Sequence, residues 1–205
     1  MRRMYLLAAA FVLGLSGAAE AEFADGLTAY KRYDFAAALE EWQPLADHGD
    51  QVTQFYLGEM YRQAQGVSYD MTEASRWYRK AAEQGHAEAQ FQLAEMYESG
   101  YGLDPDPAQA VQWLTRAAEG GHAAAMQRLG NRYATGEGVN QDLVQAHLWL
   151  ALAATRGGDV VGFLAGTDLR RLLDRMSPAE ISKANRLVEQ WQPRPAAPAN
   201  AASVG

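Results

Sequence analysis

Two histidines, His86 and His122, stand 36 residues apart in matching sequence surroundings, a spacing that raises the question of a shared metal ion. Zinc binds histidine nitrogens at about 2.1 Å, whereas equivalent positions on neighbouring packed helices lie about 10 Å apart. One ion therefore does not reach both side chains, and we predict that each histidine lies in a turn or caps a helix. His48 and His147 are isolated in the sequence. We predict no metal site and no cofactor.

Three aspartates recur at the same interval and can be interpreted as a row of carboxylates for a cation: Asp70, Asp106 and Asp142. Asp104, beside Asp106, adds a further carboxylate. Each of the three nevertheless precedes a helical pattern, and an aspartate in that place accepts hydrogen bonds from the free N–H groups of the helix. Pro107 also suits the first position of a helix, where its missing N–H does no harm. The capping role is therefore the one we predict.

The sequence also lacks the short motifs of two common enzyme classes. It contains no G-x-S-x-G segment, which positions a nucleophilic serine, and the glycine-rich stretch from Gly157 to Gly162 has no lysine to bind a phosphate. We therefore predict no catalytic residue and no enzymatic activity.

The elements that position these residues follow from a repeat with a period of 36 residues. Large apolar residues, small residues and a loop glycine keep this period: Leu57, Leu93 and Leu129; Tyr61, Tyr97 and Tyr133; Ala74, Ala110 and Ala146; Gly66, Gly102 and Gly138. Such a period is typical of a solenoid, in which each unit buries its apolar face against its neighbours. We predict an all-α solenoid of antiparallel helical hairpins, and we call the two helices of each hairpin the A helix and the B helix.

Two of the predicted A helices are followed by glycine, at Gly100 and Gly136. Glycine adopts without strain the left-handed conformation that ends many helices. Ala64 occupies the same position in the preceding repeat, and a left-handed alanine costs about 1 kcal/mol. We therefore expect an altered turn from Gln63 to Gly66.

The chain divides into three predicted parts: a signal peptide at 1–21, a repeat domain at 22–192 and a disordered tail at 193–205. Within the domain we predict repeat units at about 23–49, 50–85, 86–121 and 122–157, followed by capping helices at 160–192. The last helix opens with a capping box, Ser177-Pro178-Ala179-Glu180. The tail is rich in proline and alanine and lacks the apolar residues that a packed segment needs.

The first residues have the features of a secretory signal. Arg2 and Arg3 precede an apolar run, and Ala19-Glu20-Ala21 resembles a small-x-small cleavage site. The run is too short to span a bilayer comfortably, so we expect cleavage after Ala21 and no stable membrane insertion afterwards, with a retained anchor as the alternative. We place the mature protein in the periplasm of a Gram-negative bacterium, with secretion as the alternative.

Charge and cysteine content limit the partners further. Loss of Arg2, Arg3 and Glu20 with the signal changes the net charge from −7 to −8, and an acidic surface repels the phosphates of nucleic acids. We therefore predict no nucleic-acid partner. The chain has no cysteine, so neither a disulfide nor the lipid anchor of a lipoprotein is expected.

A binding surface follows from the helix geometry. If Leu57, Gly58 and Tyr61 face the neighbouring helix, residues offset around the same A helix face a concave groove. The predicted protein-binding residues are Phe55, Glu59, Arg62, Phe91, Glu95, Glu98, Gln127 and Asn131. Two phenylalanines bordered by carboxylates suit a protein or peptide with apolar anchors and basic flanks. The alternative is that both phenylalanines are partly core and the glutamates only solvate the surface.

The spacing A-x-x-W-x-x-x-A-A-x-x-G-x-x-x-A-x-x-x-L-(G/A)-x-x-Y-x-x-G-x-G occurs at Ala74 to Gly102 and again at Ala110 to Gly138. It resembles the Sel-one-like repeat (SLR) family, a relative of the tetratricopeptide repeats, over about Leu39 to Gly158. The resemblance implies a right-handed superhelix of helical hairpins and members that act mostly as adaptors assembling protein complexes. It implies no catalytic residue.

These observations together predict an exported, non-catalytic scaffold that binds a protein or peptide in its groove. Two alternatives remain open. One is a periplasmic enzyme, or enzyme regulator, that acts on cell-wall material, and the other is a purely structural spacer.

Overall fold

The computed structural model describes residues 20–194, and within that range every regular element is an α-helix. The helices are α1 (20–31), α2 (Phe35–Asp47), α3 (Gln51–Gln63), α4 (Met71–Glu83), α5 (Ala87–Ser99), α6 (Pro107–Glu119), α7 (Ala123–Thr135), α8 (Leu143–Arg156), α9 (Gly158–Leu173) and α10 (Pro178–Gln190). None of these helices is long and apolar enough to cross a membrane. The predicted signal peptide lies outside the described residues apart from Glu20 and Ala21, and so does the predicted tail beyond Arg194.

The chain forms two compact units, one that ends at Trp77 and one that begins at Tyr78. Trp42 is the centre of the first unit's core. Its side chain is fully buried, its ring stacks on Tyr56 with the centroids 4.7 Å apart, and its Nε1–H donates to the carbonyl oxygen of Phe23 at 3.3 Å. The rings of Phe23 and Tyr30 in α1 also lie 6.1 and 5.3 Å from the Trp42 ring, so aromatic contacts join α1 to α2.

In the second unit each helix packs against the next one from α5 to α9, and α7 also contacts α9. Small residues allow close approach: Ala94, Ala117 and Ala118 are fully buried. At Gly130 an added Cβ would lie 2.7 Å from Cγ of Leu150, which is closer than packed carbon atoms come. The helices α5, α7 and α9 form one layer, and α10 packs on α8.

The predicted helix caps are confirmed. Asp106 and Asp142 each accept hydrogen bonds from two backbone N–H groups at the start of their B helix, and Asp70 accepts one from Glu73 at 2.9 Å. The histidines cap the A helices, because Nδ1 of His86 accepts from the N–H of Ala89 at 3.2 Å, and Nδ1 of His122 caps α7 in the same way.

The expectation of an altered turn after Gln63 is wrong. Ala64 adopts the left-handed conformation, with φ 55° and ψ 38°, and its N–H donates to the Met60 carbonyl oxygen. Gly100 and Gly136 end α5 and α7 with the same hydrogen bond. The repeat that carries alanine therefore keeps the same turn. The left-handed backbone of Ala64 costs about 1 kcal/mol of folding free energy.

The loop glycines of the repeat have a steric reason. Gly66 and Gly138 have φ of 72° and 74°, and each lies against the first residue of a B helix. A Cβ on Gly138 would lie 2.5 Å from the carbonyl oxygen of Pro107, and a Cβ on Gly66 would lie 2.9 Å from Cβ of Phe35. No residue with a side chain fits there without a shift of backbone.

The last two helices extend the repeat in part. The capping box is confirmed, because Ser177 Oγ accepts from the Glu180 N–H and the Ser177 N–H donates to Glu180 Oε2 at 2.8 Å. Helix α9 begins at Gly158, two residues before the predicted start of the capping helices at 160. It keeps the 36-residue period of the A helices, with Ala165 and Leu169 at the positions of Leu129 and Tyr133 in α7.

Candidate functional site

The predicted site residues of the first unit lie on α3, where two of them bind each other. Arg62 Nη2 lies 2.6 Å from Glu59 Oε2, and the Glu59 side chain is only 12% exposed. Phe55 is half-buried and its ring lies 5.7 Å from that of Tyr56. The Glu59 carboxylate is thus mostly shielded from solvent and already has a cationic partner.

In the second unit Phe91 is covered by α7. Its ring stacks on the His122 imidazole with the centroids 4.6 Å apart, and the Arg128 guanidinium lies 5.1 Å from the ring centroid. Only 9% of Phe91 is exposed. This burial fits the alternative interpretation, in which Phe91 belongs partly to the core.

Glu95 and Glu98 bind two arginines of α7. Arg128 lies 2.6 Å from a carboxylate oxygen of each, and Arg132 Nη2 lies 2.7 Å from Glu98 Oε1. Arg132 also pairs with Glu137. The predicted carboxylates are therefore paired with two arginines that were not among the predicted binding residues.

Gln127 and Asn131 continue the pattern from α7 to α9. Both side-chain amides donate to Asp168 Oδ2, at 3.0 and 3.1 Å. Asp168 also lies 3.8 Å from Arg171. We call the continuous set of polar side chains on α5, α7 and α9 the polar strip: Glu95, Glu98, Gln127, Arg128, Asn131, Arg132 and Asp168.

A cavity of about 270 Å³ opens beside the polar strip. It is lined by residues of α7, α8 and α9 and of the segment after α9: Asn131, Ala134, Thr135, Leu150, Asp168, Arg171, Leu172 and Arg175. Leu150 and Leu172 supply apolar walls, whereas Asp168 and the two arginines supply charges of both signs. Such a cavity can hold a side chain with an apolar body and a polar end.

Sequence reasoning missed Arg128, Arg132 and Asp168. A signal for them existed, because Arg128 and Arg132 follow Glu95 and Glu98 by nearly one repeat. Side chains at nearly equivalent positions of successive A helices come close when those helices pack side by side. Opposite charges one repeat apart therefore predict an ion pair between neighbouring A helices.

His122 caps α7 and also contacts α5. Because Nδ1 accepts the N–H of Ala125, the ring nitrogen that donates is Nε2, which lies 2.9 Å from Glu88 Oε2. This hydrogen bond is the main reason that the pKa of Glu88 is below its ordinary value. One imidazole thus caps α7, covers Phe91 and binds a carboxylate of α5.

His147 lies within α8, away from the polar strip, and predicts a dependence of stability on pH. It is 4% exposed, its Nδ1 has no hydrogen-bond partner among residues 20–194, and burial lowers its pKa below the ordinary 6.5. Well above pH 6.5 the imidazole is neutral in both the folded and the unfolded chain. Near and below pH 6.5 the unfolded chain binds a proton, whereas the folded chain, with its lower pKa, binds that proton only at a lower pH. The free energy of unfolding should therefore fall with decreasing pH, by at most about 1.4 kcal/mol per pH unit from this group.

The H147L variant isolates that contribution. Urea unfolding of both proteins from pH 7.5 to 5.5 should show a shallower pH dependence for the variant, with the difference confined to the acid side of pH 6.5. Parallel curves for the two proteins would show that His147 binds its proton equally in both states.

Comparisons with known proteins agree with the repeat. The family model described as the Sel1 repeat matches three consecutive segments, residues 52–86, 87–122 and 123–158, which together span more than half of the chain. A comparison with curated proteins found no match.

Two solved structures are similar to this chain. One is a Sel1 repeat protein from Oxalobacter formigenes, with 32% sequence identity and a TM-score of 0.64 over 66% of this chain and 56% of that one. The other is c5321, a protective antigen of uropathogenic Escherichia coli with an SLR fold, with 31% identity and a TM-score of 0.66 over 76% of this chain and 32% of that one. The chain spans less than two thirds of the length of either protein.

Sel1 repeat proteins are typically protein-interaction scaffolds, and the family is generally non-catalytic. The predicted all-α solenoid is confirmed by the helices of the described chain and by these neighbours. The capped hairpins at a 36-residue period and the three matched repeats show that the chain belongs to the Sel1 repeat family.

Proposed function

We propose that this chain is an exported, non-catalytic scaffold that binds a protein or peptide partner along the polar strip and its adjoining cavity. The observation that carries the proposal is the strip itself, which presents charges of both signs on three consecutive A helices beside a cavity of about 270 Å³. A surface of this kind can bind an extended or helical segment through exchanged ion pairs and one anchored side chain.

The charges of the strip suggest how a partner binds. Arg128 and Glu95 keep 40% and 34% of their side-chain surface exposed, so both remain accessible while paired. Glu137 is 64% exposed. A basic flank of the partner, as the sequence predicts, would meet Glu95 and Glu137 and would compete there with Arg128 and Arg132. An acidic group would instead meet Arg171 at the cavity, where 78% of its side chain is exposed.

Export rests on the first residues of the sequence. In cells that produce the full chain with a C-terminal tag, we expect the protein in the periplasmic fraction with a mature N terminus at Glu22. An intact N terminus with the protein in the membrane fraction would favour the retained anchor.

Crosslinking in intact cells tests the binding proposal. A photoreactive amino acid at Asn131 or Thr135, which line the cavity, should capture the same protein from both positions. The same probe at Gln112, which is exposed on the B helix α6, should not capture it. Equal capture from Gln112, or none from any position, would contradict a binding site on the strip.

A matched pair of substitutions then tests the captured partner with purified proteins. T135W places a bulky side chain at the cavity and should weaken binding at least about tenfold, which corresponds to the loss of one anchored contact. Q112W adds the same side chain to α6 and should leave the affinity unchanged. Equal affinities of the two variants for the partner would show that the partner does not bind at the cavity.

A further inference from the structure

Helix α9 carries an exposed apolar patch that the polar strip does not use. Val160, Phe163 and Leu164 are 72%, 69% and 46% exposed, and they lie on one side of the helix at i, i+3 and i+4 spacing. Among residues 20–194 the other exposed large hydrophobic residues are tyrosines: Tyr33, Tyr69 and Tyr101. We call Val160, Phe163 and Leu164 the α9 patch.

The repeat shows what covers this position elsewhere in the molecule. Phe163 follows Phe91 by two periods of 36 residues, so the two phenylalanines occupy the same place on their A helices. Phe91 is 9% exposed because His122 and Arg128 of the next A helix lie on its ring. Phe163 has the same side chain in the same position, but no described residue covers it in that way, and it is 69% exposed.

Helix α9 packs beside α7 in the same layer, and polar side chains join these two helices as well. Asp168 of α9 occupies the repeat position of Arg132. It contacts Gln127 and Asn131, which stand at the positions of Phe91 and Glu95, whereas Arg132 contacts Glu98. Both α7 and α9 therefore cover the preceding A helix with polar side chains, although the repeat positions that they contact differ. Within the described residues α9 has no such successor, because α10 packs on α8. The predicted closure of the stack by residues 160–192 thus leaves this face of α9 uncovered.

The uncovered face of α9 carries a positive charge where α5 carries a negative one. The position of Glu98, which binds Arg132 of the next helix, is occupied in α9 by Arg170. The Arg170 guanidinium donates to Thr167 Oγ1 at 3.2 Å, and Arg170 itself is exposed. A helix that covers α9 in the manner of α7 would therefore need a carboxylate where α7 has Arg132.

We propose that the α9 patch docks an amphipathic helix of a partner protein, which adds one more A helix to the layer. That helix places an apolar residue on Phe163, where α7 places Arg128 on Phe91, and a carboxylate four residues later, facing Arg170. The patch shares no residue with the polar strip, and Leu164 precedes Asp168 by one turn of α9.

Two helical peptides test the proposal by fluorescence anisotropy with the purified chain. The first carries two leucines one turn apart with glutamates one turn further on, and the second is identical except that lysines replace the glutamates. The glutamate peptide should bind at least about tenfold more tightly than the lysine peptide. R170E should reverse that preference, and F163S should weaken both peptides at least about tenfold.

Folding and alternative occupants are controlled in the same series. Phe163 and Arg170 are exposed, so both variants should keep the circular dichroism spectrum and thermal midpoint of the parent chain. Equal binding of both peptides, unchanged binding by F163S, or no saturation by either peptide would overturn the proposal. So would a dimer in sedimentation that F163S dissociates, because a second copy would then occupy the patch. Capture from Asn131 should be unchanged in F163S, which separates this proposal from binding at the polar strip.

Discussion

Replacement of Gly138 by alanine should lower the free energy of unfolding by about 3 kcal/mol. Two penalties combine at this position, a left-handed backbone at φ 74° and a contact between the new Cβ and the Pro107 carbonyl oxygen at 2.5 Å. The first costs about 1 kcal/mol and the second costs about 2 kcal/mol, as in an overpacked core. Urea unfolding followed by circular dichroism measures the sum.

Gly136 provides the matched control two residues earlier. It is also left-handed, at φ 83°, but the nearest atom to an added Cβ is Cβ of Gln141 at 3.4 Å, an ordinary contact. G136A should therefore lose only the backbone term of about 1 kcal/mol. If the two variants were equally stable, the approach of the loop to Pro107 would not explain the glycine.

The second large effect is expected at Glu98. Its side chain is 14% exposed and accepts short hydrogen bonds from both Arg128 and Arg132. E98A removes both bonds and leaves Arg132, itself 16% exposed, with Glu137 alone. Hydrogen bonds to charged groups contribute about 1.5 to 3 kcal/mol, so we expect a loss of about 2 kcal/mol in the free energy of unfolding.

Glu95 serves as the control for the same layer. In the described part of the chain its carboxylate pairs only with Arg128, and both side chains are more than a third exposed, as is common for surface ion pairs. E95A should therefore cost less than about 1 kcal/mol. A double-mutant cycle of E98A with R132A should show a coupling energy that persists at high salt, because the pair is largely shielded from solvent. A coupling energy near zero would show that the pair of Glu98 and Arg132 does not help to hold α5 against α7.

The relation between the polar strip and binding follows from these energies. If the pair of Glu98 and Arg132 stabilises the layer, a partner gains little by displacing it. The exposed pair of Glu95 and Arg128 is the easier one to exchange. Binding on the strip is therefore expected to involve Glu95 and Arg128 more than Glu98 and Arg132.

The sequence predicted the helical hairpins well because their signals are local. Asp106 and Asp142 cap their helices through backbone groups two or three residues away, and Ser177 and Glu180 form a complete capping box in one turn. The altered turn expected at Ala64 is a local prediction that failed. The same hydrogen bond forms there as at Gly100, and a strain of about 1 kcal/mol is too small to change the turn.

The binding surface was predicted less well because it depends on which helix lies beside which. Sequence spacing placed Phe91, Glu95 and Glu98 on one face of α5, and they do share contacts with α7. The prediction missed Arg128 and Arg132, which pair with these carboxylates. Those contacts join residues 30 to 34 positions apart, so they follow from the sequence only once the A helices are known to pack side by side.

The sequence by itself determined the period, the helices, their caps and the family, since each depends on residues that are close in the chain or repeat at a fixed interval. Tertiary structure decided which of the repeated side chains are available to a partner. Phe91 and Phe163 are the same residue at the same repeat position, yet one is 9% and the other 69% exposed. The difference arises because α7 covers Phe91, whereas no helix of the described chain covers Phe163.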